Sequence, residues 1–204
     1  MEFVRSLKGY DHLWAVRFPE KEADELTLLF RKWGDMNFLL DFFRDNMDDL
    51  QENFHVQRVR DAIQDTFTDA DALEKMILGF PFTENLDSLF LPLSQADDRA
   101  VELTREKARN WDRERHASWL RVYAIRVETN VFIITGGAIK LTPTMQDRPH
   151  TLEELKKMDR CRELLKTNGV FDRDSFIDYL NEEQYDKQGN PVSGTKPEQR
   201  TFHL

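Results

Sequence analysis

The sequence predicts an α+β fold in which an antiparallel sheet of about four strands is centred on a hairpin at residues 119–141. Residues 122–127 and 131–134 are rich in β-branched and aromatic side chains, and a tight turn that includes Asn130 separates them. The second run is apolar on both faces, which is typical of a central strand whose two faces are covered. The N-terminal half instead repeats its apolar residues at helical spacing, so we expect an N-terminal helix pair and additional helices to pack on the sheet.

The sequence of the N-terminal half predicts one short strand that is followed by helices. The strand ends at Pro19, and Gly34 separates the first two helices so closely that they should form an antiparallel pair. Thr68 and Asp71 have the spacing of a capping box, which predicts that a further helix begins there. The predicted elements are a strand at 13–18, helices at 20–33, 36–50, 56–67, 68–79 and 84–90, and a turn at 80–82.

Residues 100–111 change from helical to alternating periodicity, which predicts a strand. A helix is the alternative, because Glu102 and Glu106 would pair with Arg105 and Arg109 at helical spacing. We favour the strand, because the hairpin needs an edge partner. In that strand Arg105, Lys107 and Arg109 would share one face.

After the hairpin, the sequence predicts two helices and a disordered tail. Thr151 and Glu154 have the spacing of a capping box, so a helix should begin beside Pro149. Another helix is expected at residues 173–180. The tail has too few apolar residues to order itself. The predicted layout is a single domain at 1–183, which includes C-terminal helices at 151–181, and a disordered tail at 184–204.

Composition indicates a cytoplasmic protein without a cysteine-based metal site. Cys161 is the only cysteine, which excludes an internal disulfide, and no apolar run approaches the roughly 18 residues that span a bilayer. The first residues do not read as a signal peptide, and no motif predicts a metal or cofactor. The net charge is −9, yet residues 99–140 carry nine Lys and Arg against five Asp and Glu. This basic island could attract phosphate, or it could be ordinary scatter along an acidic chain.

The hairpin register predicts a cluster of functional side chains. A two-residue turn at Thr129-Asn130 would pair Glu128 with Val131 and fix every pair beyond it. Directly paired residues share a face, and Gly136 and Ala138 on that face would leave room for a ligand. The alternative is that the two cations are strand-end residues in surface ion pairs, and a one-residue slip would separate the cluster. The predicted cluster is Trp119, Arg121, Tyr123 and Lys140.

Two segments, one in the hairpin and one after it, carry recognisable motifs. Residues 120–125 read LRVYAI, and residues 139–142 read IKLT, followed by Pro149 and Glu154. They resemble the (W/L)R-x-x-Y/F strand and the F-x-K-K-T…P-x-x-E segment of the RelE/HigB superfamily of bacterial toxins, with Arg160 near its closing A-x-x-R. The predicted order of a strand, a helix pair and three antiparallel strands is also similar to that superfamily. The resemblance covers about residues 10–50 and 99–165, so 51–98 would be a helical insertion and the last helix an addition.

The resemblance implies a ribosome-associated endoribonuclease that cleaves mRNA and belongs to a toxin–antitoxin pair, or an inactive relative of one. Its partners would be an antitoxin protein, the ribosome and mRNA, with no membrane, metal or cofactor involved. The implied catalytic residues are Arg121, Tyr123 and Lys140. The implied RNA-binding residues are Arg105, Lys107, Arg109 and Trp119.

The alternative is a non-catalytic protein-interaction module on the same scaffold. The acidic net charge favours it, and so does Leu141, which stands where the superfamily has a second lysine. The sheet face distinguishes the two hypotheses. An open, basic, concave face would favour the enzyme, whereas a face filled by residues 51–98 or by the C-terminal helix would favour the module.

Overall fold

A six-stranded sheet lies between two layers of helices. The structure, a computed structural model, describes residues 1–7, 10–79, 85–93, 103–110 and 116–182. The strands are β1 (Glu2–Leu7), β2 (Tyr10–Arg17), β3 (Leu91–Pro92), β4 (Thr104–Ala108), β5 (Leu120–Glu128) and β6 (Val131–Ile139). The helices are α1 (Glu25–Trp33), α2 (Met36–Asp45), α3 (Met47–Phe54), α4 (Val59–Gly79), α5 (Leu86–Leu89), α6 (Pro149–Thr167) and α7 (Arg173–Glu182). The predicted turn at 80–82, the ends of the predicted strand at 100–111 and the tail at 184–204 lie outside the described residues.

The sheet differs from the predicted one in strand number and in strand direction. Its order is β1-β2-β6-β5-β4-β3, and β2 runs parallel to β6, with Leu13 opposite Phe132. The long connection between these two strands includes five described helices, and parallel strands need such a crossover. The α+β class is therefore confirmed, while the prediction of about four strands in a purely antiparallel sheet is wrong.

Each face of the sheet is covered by its own hydrophobic core. Helices α1 to α5 pack on one face, where Phe43 and Leu73 join Leu120 and other strand residues. Helices α6 and α7 pack on the other face, where Phe176 joins Tyr123. Alternate residues of β5 enter the two cores because successive side chains of a strand point to opposite faces. Strand β6 is buried on both faces, as its apolar sequence predicts.

Two helix boundaries differ from the sequence prediction. The expected helix at 36–50 is interrupted at Asn46, whose side chain donates a hydrogen bond to the carbonyl of Phe42 and so ends α2. The two helices expected at 56–67 and 68–79 are one helix, α4. Thr68 does not cap a new helix, because its hydroxyl donates to the carbonyl of Gln64 one turn earlier. The continuous α4 reaches the start of β5.

The hairpin register agrees with the prediction at both of its ends. Arg121 lies opposite Ala138, and Glu128 lies opposite Val131. Between them the pairing shifts by one residue after Tyr123 and shifts back between Arg126 and Glu128. The predicted strand before the hairpin is present as β4, and Lys107 in β4 lies opposite Tyr123. Cationic residues of β4 and β5 therefore meet on the face that carries α6.

Candidate functional site

A cavity of about 420 Å³ lies at the end of this face, between β4, β5 and the residues that follow β6. Five of its lining residues are Lys or Arg, and none of these described lining residues is Asp or Glu. In a chain with a net charge of −9, this concentration of positive charge indicates an anion-binding site. The lining residues are Leu93, Arg105, Lys107, Arg109, Arg121, Tyr123, Lys140, Pro143, Thr144, Met145, Gln146 and Leu155.

Arg121 is held at the cavity wall by backbone carbonyl groups. Its side chain is only 9% exposed, and its Nη1 donates hydrogen bonds to the carbonyls of Ser118 and Leu120, at 2.5 Å and 2.7 Å. Burial, and then the charge of Arg109, lowers the pKa of Arg121 to about 10. Within the described chain no carboxylate forms an ion pair with Arg121, so its remaining N–H donors can bind an anion in the cavity.

Lys140 also lines the cavity, and backbone carbonyl groups hold it as they hold Arg121. Its Nζ donates to the carbonyls of Thr142 and Pro143, at 2.6 Å and 2.5 Å. Burial lowers the pKa of Lys140, and the charges of Arg121 and Lys107 lower it further. A lysine with a lowered pKa loses its proton more easily than a surface lysine does, which suits it to proton transfer.

Strand β4 supplies the remaining cations. Lys107 donates from Nζ to the carbonyl of Leu93 at 2.7 Å, and Arg105 lies 3.4 Å from the Asp159 carboxylate at the rim. Burial lowers the pKa of Arg109, which follows the strand. Arg105, Lys107 and Arg109 therefore line the same cavity as Arg121, Tyr123 and Lys140.

Tyr123 is buried at the inner wall with an unsatisfied hydroxyl. Its side chain is 0% exposed, and no residue in the described part of the chain forms a hydrogen bond with its OH. Burial raises the pKa of Tyr123, so the phenol keeps its proton and can act as a donor. An unpaired buried hydroxyl costs about 1–3 kcal/mol, which a ligand group in the cavity could offset.

Trp119 does not join the other predicted site residues. Its ring lies in the core on the helical insertion side, where Nε1 donates to Thr66 Oγ1 at 3.0 Å and the indole stacks on His116. The Trp119 carbonyl still accepts a hydrogen bond from the Lys140 N–H across the hairpin, but the indole packs edge-on against Phe43 and Phe54 of the helical layer.

The space that Gly136 was predicted to leave for a ligand is occupied by a buried ion cluster. A side chain at position 136 would overlap the carboxylate of Glu154 on α6. Lys157 Nζ bridges that carboxylate and the Glu25 carboxylate on α1, at 2.8 Å and 2.7 Å. Burial raises the pKa of Glu154 to about 7. The spacing of Glu154 and Lys157 on one helix could have indicated their pairing, but nothing local in the sequence indicates Glu25.

Comparison with models of known protein families, with curated proteins and with solved structures finds no match to this chain. Among the described residues no group of three or more His, Cys, Asp or Glu side chains could hold a metal ion. None of the described helices is long and apolar enough to cross a membrane.

Proposed function

We propose that this chain is a RelE/HigB-like toxin, and that the cavity binds a phosphate group of mRNA for cleavage on the ribosome. The observation that carries the proposal is the set of five cationic side chains around one 420 Å³ cavity in an acidic protein. Backbone phosphates supply most of the affinity when proteins bind nucleic acids, and Lys and Arg are their usual partners. The volume falls within the range of small-ligand sites, so one nucleotide unit is a suitable occupant.

The cavity residues can divide the chemistry of RNA cleavage among them. Arg121 would hold the non-bridging phosphate oxygens and stabilise the charge that develops there. Lys140 in its neutral form would accept the proton of the ribose 2′-OH, whose oxygen then attacks phosphorus. Tyr123 would donate its proton to the departing 5′ oxygen as the P–O bond breaks, leaving a cyclic phosphate. Arg105, Lys107 and Arg109 would bind neighbouring phosphates. Trp119 would support this site only as part of the core beneath it.

This proposal includes the biological setting that the superfamily implies. The protein would act in the cytoplasm, bind the ribosome and its mRNA, and be inhibited by an antitoxin protein. It would need no metal or cofactor, because the cationic side chains stabilise the phosphate charge themselves.

A non-catalytic interaction module is the second candidate. Helices α6 and α7 cover much of the sheet face, and Tyr123 is wholly buried beneath them. The face is therefore not an open groove, which favours a module whose cavity binds an acidic segment of a partner protein. Helices α4 and α5 of the insertion pack on the opposite face, and Leu93, near the end of the insertion, lines one part of the cavity.

Expression in bacteria without an antitoxin tests the enzyme directly. The wild-type chain should arrest growth and produce cleaved transcripts, and Arg121→Ala/Lys140→Ala should abolish both effects. Lys75→Ala/Lys156→Ala is the matched control, because it removes two exposed positive charges whose partners in the described part of the chain are acids on their own helices. This control should leave the arrest unchanged.

Three outcomes separate the candidates. Normal growth with intact transcripts, at a verified level of folded wild-type protein, contradicts the active enzyme. If the purified protein then binds an acidic peptide but not single-stranded RNA, the module is supported. If the cavity variant and the control arrest growth equally, Arg121 and Lys140 are not the site.

A further inference from the structure

Three polar side chains of helix α4, those of Asp65, Thr66 and Asp69, form hydrogen bonds with the segment that leads into β5. The imidazole Nε2 of His116 lies 3.0 Å from the Asp65 carboxylate, and Trp119 donates to Thr66 at 3.0 Å. One turn further along, Asp69 accepts a short hydrogen bond from the hydroxyl of Ser118. Asp69 is 2% exposed, and burying a carboxylate is costly unless its partners compensate.

A series of hydrogen bonds connects Asp69 with Arg121. The Ser118 hydroxyl that donates to Asp69 also accepts a hydrogen bond from the backbone N–H of Leu120 at 3.1 Å, which fixes the turn at 118–120. The carbonyls of Ser118 and Leu120 are the two acceptors that hold Nη1 of Arg121. The position of the guanidinium therefore depends on the turn that Asp69 anchors.

We propose that Asp69 is a positioning residue, which acts through Ser118 to hold Arg121 in place for binding RNA phosphate in the cavity. This inference rests on the proposed RNA site and adds to it a residue of the helical insertion, which the motifs around Arg121 do not contain. The insertion thus contributes to the site from the opposite side of the sheet.

The sign of the effect on binding separates positioning from simple electrostatics. Asp69 is negatively charged and lies close enough to raise the pKa of Arg121. In the described part of the chain, the other charged or titratable groups close to Arg121 are Arg109, Tyr123 and Lys140. If Asp69 acted only by its charge, Asp69→Asn would strengthen the binding of anionic RNA. If it positions Arg121, the same variant weakens that binding.

The experiment is a double-mutant cycle read by fluorescence anisotropy with a labelled eight-nucleotide single-stranded RNA of mixed sequence. We expect Asp69→Asn to weaken binding about fivefold to tenfold, and Arg121→Ala about tenfold or more, the scale of hydrogen bonds to charged groups. The double variant should bind no more weakly than Arg121→Ala, because Asp69 acts only through that residue. Thr66→Val is the matched control: it removes a buried hydrogen bond from the same helix face but should leave affinity within about twofold.

Each outcome decides a separate question. The positioning role is overturned if Asp69→Asn binds RNA as tightly as the wild type or more tightly. It is also overturned if the fold-losses in RNA affinity of the two single variants multiply in the double variant. Either result leaves the RNA site intact. An equal loss from Thr66→Val also overturns the positioning role, because any damage to this helix face would then suffice. If Arg121→Ala binds RNA normally, the proposed RNA site fails and the positioning role with it. Should Asp69→Asn not fold, Ser118→Ala breaks the same link from the strand side and is judged by the same criteria.

Discussion

The buried cluster of Glu25, Glu154 and Lys157 predicts that the protein becomes less stable as the pH rises towards neutrality. One ammonium group lies between two buried carboxylates, so it cannot neutralise both. Burial raises the pKa of Glu154 from 4.5 to about 7, although the neighbouring Lys157 opposes that shift. The folded protein therefore holds a proton on Glu154 at pH values where the unfolded chain has released it.

The sign and size of the effect follow from this difference in pKa. Because the folded state binds more protons between the two pKa values, the contribution of Glu154 is most favourable below the unfolded value and is lost as the pH rises to the folded one. This difference in pKa lowers the free energy of unfolding by about 3 kcal/mol in total as the pH rises, and roughly 2.5 kcal/mol of that loss falls between pH 5 and pH 8. Glu154→Gln cannot ionise, so the variant lacks this dependence.

Urea unfolding at several pH values, followed by tryptophan fluorescence, measures the effect. The free energy of unfolding of the wild type minus that of Glu154→Gln should fall by up to about 2.5 kcal/mol from pH 5 to pH 8. At pH 8 the variant should be the more stable protein, since its neutral amide leaves Lys157 paired with Glu25 alone.

Glu153→Gln provides the control, because Glu153 precedes Glu154 on the same helix, is largely exposed and pairs with Lys156. The difference in free energy of unfolding between the wild type and Glu153→Gln should change by less than about 0.5 kcal/mol over the same pH range. A wild-type advantage over Glu154→Gln that grows with pH would refute the reasoning. It would mean that the ion pair with Lys157 outweighs burial and that the Glu154 carboxylate stabilises the fold.

Three further predictions concern single residues. Gly136→Ala should lower the free energy of unfolding by about 2–5 kcal/mol in urea titrations, because its φ of 150° and the Glu154 carboxylate both exclude a side chain. Its control is Gly79→Ala, where no atom lies within 4 Å of the new methyl group and the free energy of unfolding should change by less than about 1 kcal/mol. Tyr123→Phe should raise the free energy of unfolding by about 1 kcal/mol by removing an unsatisfied hydroxyl, while RNA cleavage falls; a loss of stability would show that the hydroxyl is satisfied. Cys161, whose pKa burial raises to about 12, should react with a thiol reagent only after unfolding in urea, and rapid reaction of the native protein would contradict its burial.

The parts of the fold that sequence predicts well are those set by side-chain periodicity. The hairpin, its terminal register and β4 follow from alternation and from a short turn. Periodicity also predicts that both faces of β6 are covered. It cannot predict that β2 lies beside β6, because this pairing joins segments more than half the chain apart and leaves no local pattern. The sequence did not predict strand β1, because buried and less buried residues do not alternate regularly along it and its position depends on pairing with β2.

The candidate site was predictable where its residues belong to the strands or directly follow them, as Arg109 follows β4 and Lys140 follows β6. Arg121, Tyr123 and Lys107 reach one cavity because pairing across β4, β5 and β6 determines which face each occupies. Trp119 does not join the site because its indole packs against Phe43 of α2 and Phe54 of α3. The prediction for Gly136 is wrong for another reason. A small residue leaves space for either a ligand or a neighbouring element, and here Glu154 of α6 fills the space.

The parallel pairing of β2 with β6 has a consequence for the order in which the protein is made. The β1–β2 hairpin is synthesised early, but the edge of β2 that will meet β6 has no strand beside it until residues near 134 leave the ribosome. Contacts between such distant segments are slow to form, and an open strand edge invites pairing with other chains in the meantime. Because Lys140 follows β6 and Leu155 lies on α6, the nascent protein should also lack a complete cavity until residue 155 has emerged. Any activity of this site would thus be acquired late in synthesis, after the insertion helices already have their full sequence.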